Sequence, residues 1–266
     1  MSRASRIAGV LLDVGGTLWP ERGPGGLADG AVWPVLDSAP AAEQSQREAR
    51  IGAALGSFGP ATMRDLVGRL EAEAGAALAA SYDEPGNPWD VSAIIRTAAQ
   101  GLRIELDDHR IVAVRRAMAL PAAGRTELLP HAQELLATIR ALRLSCVLLS
   151  NTVWRDAEVY RRDFDDFGVS RFIDGIVTSV DCGFRKPDQR AFDAALSAVN
   201  CRAIECVMIG NSEENDVAPA LTLGMRAIRV AIEEPRPPRS AAHAIAGSLH
   251  EAAEVLRSWV WSDTGA

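Results

Sequence analysis

At 266 residues the chain has room for one large domain or a core plus a smaller one, and its 48% hydrophobic content argues for a packed interior rather than disorder. A formal net charge of −7 argues against nucleic acid as the main partner and leaves no polybasic patch for an anionic membrane. The cysteines at 146, 182, 201 and 206 show neither CxxC nor Cys/His metal spacing, so the chain is expected to be cytoplasmic, with free thiols.

The continuous apolar run 7–12, closed by Asp13, reads as a strand buried on both faces, as in a parallel sheet. It is too short for a signal peptide, and no later segment is long enough to span a bilayer. Gly15 and Gly16 break the chain, and residues 20–40, rich in Gly and Pro, read as a loop. From about 40 to 120 the pattern is helical and Ala-rich, with no strand signal. Val91, Ile94, Ile95, Ala98 and Leu102 share one helix face, and segments near 41–57, 61–80 and 107–119 also read as helices.

From about 128 the pattern changes. A helix over 131–143 carries a stripe of Leu135, Leu136, Ile139 and Leu142, and a strand follows at Ser145–Ser150. Residues 172–179 read as a strand, and Pro187 as the opening of a helix whose apolar face is Phe192, Ala195, Leu196 and Val199. Then come a strand at Cys206–Gly210, a helix over 216–223 closed by Gly224, and a strand at Arg226–Val230. Pro235, Pro237 and Pro238 interrupt before a last helix that starts at Ser248, with Glu251 completing a capping box. The alternation predicts an α/β protein: a parallel Rossmann-like sheet core, 1–19 and 125–266, with an inserted all-helical domain, 20–124. Ligands of such sheets bind beyond the carboxyl ends of the strands. Asp13, Ser150 and Asn211 each lie at or just past such an end.

Four segments stand out: Asp13-Val14-Gly15-Gly16-Thr17-Leu18, Ser150-Asn151, Lys186-Pro187, and the run from Gly210 to Asp216. Each alone has a commonplace reading as a turn, a helix cap or solvated surface. In order and spacing they resemble the four motifs of the haloacid dehalogenase-like superfamily, and the helical segment sits where that family inserts its cap. Lys186 is the only lysine in a chain that otherwise uses Arg, which supports a special role.

The chemistry this implies is specific. Asp13 would attack an electrophile and form an ester or an aspartyl phosphate. The backbone N–H groups of Gly15, Gly16 and Thr17 would cradle phosphoryl oxygens. The Ser150 hydroxyl would bond the transferring group and Asn151 would orient substrate beside it. Lys186 would hold Asp13 ionised and balance transition-state charge. Asp216 and Asn211 would hold Mg²⁺, joined by Asp13 and, by the resemblance, the Gly15 carbonyl.

Two positions depart from the family's phosphatases. Gly15 stands where they carry a second Asp, the general acid and base, whose loss costs on the order of 10²–10⁴ in rate. Asn211 replaces an acidic residue and should weaken Mg²⁺ binding, with Glu213 or Glu214 as nearby compensators. The family's dehalogenases also lack that Asp and need no metal, but they carry a bulky aromatic where this chain has Gly15. Its phosphonate hydrolases use a cap lysine, and the cap here has none. There is no P-loop, GxGxxG fingerprint or GxSxG elbow.

The expected function is therefore a Mg²⁺-dependent phosphoester hydrolase acting on a small phosphorylated metabolite. A 2-haloacid dehalogenase and a catalytically weak binding protein remain as alternatives. His109, His131, His243 and His250 fall outside the motifs and read as surface or packing residues. Trp19 and Trp154 read as core or pocket wall, and Cys182 as a structural thiol. Arg64, Arg96 and Arg110 are candidates for contacting an anionic substrate, with solvated helix faces as the simpler reading.

Overall fold

The computed structural model describes residues 6–20, 41–56, 58–83, 86–232 and 239–264. Nearly all of the Gly/Pro-rich stretch 20–40, and the three prolines at 235, 237 and 238, lie outside them. Strand β1 (Gly9–Leu12) sits near the middle of a sheet that also holds β2 (Ser145–Ser150), β3 (Gly175–Thr178), β4 (Cys206–Gly210), β5 (Arg226–Val230) and β6 (Ala244–Ala246). The order is β3-β2-β1-β4-β5-β6 and every pairing is parallel. Strand side chains alternate between faces. Val10 and Leu12 face one helical layer with Cys146, Leu148, Val207 and Ile209, while Leu11 faces the other with Val147, Leu149 and Met208.

Helices α5 (Ala132–Ala141), α6 (Ala157–Asp166) and α10 (Leu249–Thr264) cover the first face through Leu135, Leu136, Ile139, Tyr160, Phe164, Leu249, Ala253 and Leu256. Helix α8 (Gln189–Val199) covers the second through Ala191, Phe192, Ala195 and Val199. Residues between β1 and α5 form α1 (Ala41–Leu55), α2 (Pro60–Asp83), α3 (Val91–Gln100) and α4 (Asp108–Met118), and no strand among those described. They enclose their own apolar cluster, which includes Ile51, Leu66, Leu70, Ile95 and Val114 and is joined from the other segment by Val153, Trp154 and Val159. Among the described residues, no helix is long and apolar enough to cross a membrane.

Local chemistry moves several boundaries from their expected places. The strand expected over 172–179 is confined to Gly175–Thr178, because a 3-10 turn over Ser170–Phe172 precedes it and Thr178 caps the short helix α7 (Ser179–Cys182) by accepting from the Asp181 N–H. Pro187 does not open α8. It follows a cis peptide bond from Lys186, and Asp188 caps the helix by accepting from the Arg190 N–H. The helix expected over 216–223 begins as a π-helical turn, Glu213–Val217, and continues as α9 (Ala218–Thr222). At the start of α10, Ser248 accepts from the Glu251 N–H at 3.1 Å, but the Glu251 carboxylate reaches the Gly247 N–H at 2.7 Å, one residue before the expected partner. Helix α6 and strand β6 were not anticipated.

Candidate active site

Register brings the site residues to one edge. Leu12 pairs with Leu148 on one side and Ile209 on the other. Asp13, one step further, still donates its N–H to the Ile209 carbonyl at 2.9 Å, while β2 runs on to Ser150 and β4 to Gly210. Beyond Asp13 the chain turns tightly. Gly16 adopts a φ of +73°, and its N–H donates to the Trp19 carbonyl at 2.8 Å. The Thr17 N–H donates to the Val14 carbonyl at 3.2 Å. Those two amides, expected to face a phosphoryl group, are therefore engaged within the loop. Thr17 meets the site through its hydroxyl instead, which donates to Asp13 Oδ2 at 2.9 Å.

The other Asp13 oxygen, Oδ1, lies 2.6 Å from the Lys186 ammonium, and the same ammonium lies 2.6 Å from Asp216 Oδ1. The Lys186 side chain is 2% exposed and that of Asp13 9%. Asp216 is anchored from behind, its Oδ2 accepting the Ser212 N–H at 3.0 Å. Gly210 is what lets it fit, since a Cβ there would come within 2.4 Å of the Asp216 carboxylate. The π turn that carries Asp216 is held by Ser212 Oγ, which accepts from the Asn215 N–H at 3.1 Å.

Two carboxylates and one ammonium, all buried, make a cluster with a surplus of negative charge. Burial pulls the Lys186 pKa down, but the neighbouring Asp13 and Asp216 carboxylates outweigh it and the net shift is upward. Burial pushes the Asp216 carboxyl up; Lys186 opposes this and Asp13 adds to it, leaving it at about 6. The ammonium therefore stays charged and holds Asp13 in place.

Asn151 is committed to Lys186 rather than open to a ligand. Its Oδ1 accepts the Lys186 N–H at 2.7 Å and its Nδ2 donates to the Lys186 carbonyl at 2.8 Å. The substrate-orienting role expected of it thus gives way to a two-point clamp on the lysine's own peptide. Ser150 is buried at the end of β2, and its hydroxyl pairs with the Tyr160 hydroxyl at 3.0 Å. The Tyr160 ring stacks on Trp19 at 5.4 Å, and Trp19 stacks on Phe164 at 5.1 Å. Trp19 is thus a buttress under the Gly15–Thr17 loop, while Trp154 is buried in the helical cluster.

The remaining candidates divide. The Asn211 backbone carbonyl accepts from Arg229 Nε at 3.2 Å. Glu213 is drawn away to Ser240 Oγ at 2.5 Å and the Ala241 N–H at 2.9 Å, and Glu214 is exposed. Neither is placed as the expected compensator. Arg64 and Arg96 pair with Glu48 and Asp108 on helix surfaces, and Arg110 is exposed. Contacts the sequence did not suggest join the helical segment to the Lys186 loop. The Trp89 N–H donates to the Gly183 carbonyl at 2.7 Å, and the Arg185 guanidinium lies 4.7 Å over the Trp89 ring.

Comparison with known proteins agrees with this architecture. A glyceraldehyde 3-phosphate phosphatase from Methanothermobacter thermautotrophicus is 41% identical over 63 residues, which cover 24% of this chain and 28% of that protein. A phosphoserine phosphatase from Thermus thermophilus is 32% identical over 106 residues, covering 40% and 41%. The chain thus spans less than half the length of these curated relatives. A solved 2-haloacid dehalogenase from Pseudomonas syringae pv. Tomato DC3000 superposes with a TM-score of 0.57 at 19% identity, over 95% of this chain and 99% of that one, which speaks to the fold. The family model of haloacid dehalogenase-like hydrolases matches residues 7–224, from the strand that delivers Asp13 to the glycine after α9, and the chain belongs to that family.

Proposed function

We propose that this protein is a cytoplasmic phosphoester hydrolase that acts on a small phosphorylated metabolite through Asp13. The observation that carries the reading is the Asp13 carboxylate itself, nearly buried at a strand end, with one oxygen on the Lys186 ammonium and the other on the Thr17 hydroxyl. One oxygen attacks phosphorus while the bond to the leaving group breaks, giving an aspartyl phosphate. Water then attacks the same phosphorus, releasing inorganic phosphate and restoring the carboxylate. Lys186 balances charge in both steps, and Asn151 keeps its peptide in register. Ser150 and Thr17 are buried at the same sheet edge, with Gly15 and Gly16 half-buried beside them.

The cofactor is proposed to be Mg²⁺. Asp13, Asp216, Asn211 and the Gly15 carbonyl would hold it, a donor set made only of the hard oxygens that this cation prefers. When bound it would neutralise phosphoryl charge. The surplus negative charge around Lys186 fits such a cation. The helical segment 20–124 is proposed to be the cap that selects substrate over a core of 1–19 and 125–266. Its own apolar cluster and its contacts with the Lys186 loop support this. No role for nucleic acid or membrane is proposed.

Gly15 offers no acid to protonate a leaving group. That favours substrates whose leaving group departs unaided, such as acyl phosphates. It also keeps 2-haloacid dehalogenation as a second reading, in which Asp13 displaces halide from carbon. The test is turnover of p-nitrophenyl phosphate and acetyl phosphate with and without Mg²⁺, beside halide release from 2-chloropropionate. The proposal expects phosphate release abolished by EDTA and by Asp13→Asn. Metal-independent halide release would replace it with the second reading. No turnover of either class would favour a binding protein on the same scaffold.

A further inference from the structure

We propose that His131, Glu134 and His250 form a second metal site, selective for a zinc-like transition ion and independent of the site around Asp13. Among the described residues this is the one group of three such side chains whose ligand atoms all lie within 4.8 Å of one another. Glu134 stands between the imidazoles: His131 Nδ1 is 2.9 Å from one carboxylate oxygen and His250 Nδ1 is 2.8 Å from the other. The two rings are 5.5 Å apart and inclined at 53°. Three protein ligands around a tetrahedral zinc at 2.0–2.1 Å stand about 3.3 Å from one another and leave a fourth position for water. Small side-chain rotations from the present spacing reach that arrangement.

The backbone favours convergence. His131 precedes α5 with a φ of +67°, a conformation few non-glycine residues take, and makes no capping hydrogen bond with its side chain. Its imidazole is given to Glu134 instead. Glu134 lies in the first turn of α5 and His250 in the first turn of α10, and these helices share the buried cluster of Leu135, Leu136, Leu249 and Ala253. The ligands are therefore mounted on two helices already locked together, which limits the ordering cost of binding.

Two imidazoles and one carboxylate suit zinc, nickel or cobalt rather than Mg²⁺, which prefers an all-oxygen shell. On binding, each Nδ1 gives up its hydrogen bond to Glu134 and takes the metal, and the ring carries its proton on Nε2. The bound ion would fasten the start of α5 to the start of α10. The Leu129 N–H, two residues before His131, donates to the Leu18 carbonyl at 2.8 Å, so this tie would brace the end of the nucleophile loop.

The experiment is titration of tag-free, EDTA-treated full-length protein with Zn²⁺ by calorimetry, and with Co²⁺ by visible absorption. One ion per chain at this site is expected, with cobalt bands typical of nitrogen ligation. His250→Ala and Glu134→Gln should each weaken zinc affinity by more than the roughly 10-fold to 100-fold that loss of even an outer-shell partner costs. Circular dichroism checks that each variant is folded, and either one alone suffices. Asp13→Asn should leave the zinc isotherm of this site unchanged. Absence of zinc binding, binding undiminished in both variants, or binding lost in Asp13→Asn would overturn the proposal and leave two imidazoles hydrogen-bonded to a shared carboxylate.

Discussion

The Lys186 ammonium lies 2.6 Å from Asp13 Oδ1 across 173 residues of sequence. No local preference of the chain places them together. The parallel sheet does so by carrying Asp13 to one strand end and folding the Lys186 loop back over it. The pair is buried, so breaking it has a calculable consequence. Lys186→Met leaves the Asp13 and Asp216 carboxylates facing each other without a cation. Loss of one partner from a buried ion pair costs about 3–5 kcal/mol. Urea denaturation should show that loss together with abolished turnover, whereas a surface change such as Arg64→Met should move neither.

Gly15 is open where a side chain would go: an added Cβ meets nothing within 4 Å. Gly15→Asp should therefore fold normally and supply a carboxyl two residues after Asp13. A positioned general acid contributes about 10²–10⁴ in rate. The gain in kcat should be large for p-nitrophenyl phosphate relative to acetyl phosphate, whose leaving group needs a proton less. An equal and small effect on both would mean that the missing acid does not limit the wild type.

Asn151→Ala separates two roles. A residue that contacts substrate in both ground and transition states would show itself mainly in KM. The clamp on the Lys186 peptide predicts a fall in kcat instead, by about 5- to 150-fold, the rate equivalent of the 1–3 kcal/mol typical of hydrogen-bonding groups left without partners. Steady-state kinetics with p-nitrophenyl phosphate, read as kcat and KM separately, decide between them.

The convergence of Asp13, Ser150 and the Gly210–Asp216 stretch on one edge was legible because strand ends are. A run of apolar residues closed by Asp13, a strand ending at Ser150 and a strand followed by the Gly210–Asp216 stretch each declare an edge, and parallel pairing makes it the same edge. The lone lysine completed the pattern. What stayed hidden depends on loop conformation. The Asn151 clamp needs the Lys186 peptide turned toward it. Tyr160 sits on α6, whose surface Arg161, Arg162, Asp165 and Asp166 dilute the apolar stripe of Val159, Tyr160 and Phe164. Thr178 looked like the interior of a strand and proved to be a helix cap. Glu134 and His250 are 116 residues apart, and only the packing of α5 against α10 makes them neighbours.

The thiols carry a pH prediction. Burial, aided by Asp174, pushes Cys146 up to about 12, and burial, aided by Cys201, pushes Cys206 up to about 12. A folded pKa raised above the unfolded value means that the native state holds its proton longer. The stability from each thiol is fully present below about pH 8.5, the unfolded value, and is lost as pH rises through the folded one. Stability measured by urea should therefore decline above about pH 9 and decline less in Cys146→Ala. At pH 8 iodoacetamide should modify these two cysteines only after unfolding.

The proposed role of Asp13 as nucleophile is tested most directly by the chemistry left on it. The protein, turning over acetyl phosphate with Mg²⁺, is quenched in acid and the peptide containing Asp13 is weighed. A phosphoryl group on Asp13, absent from Asp13→Asn along with all turnover, is the predicted result. Steady phosphate release from Asp13→Asn at the wild-type rate, with no adduct on the wild-type peptide, would contradict it.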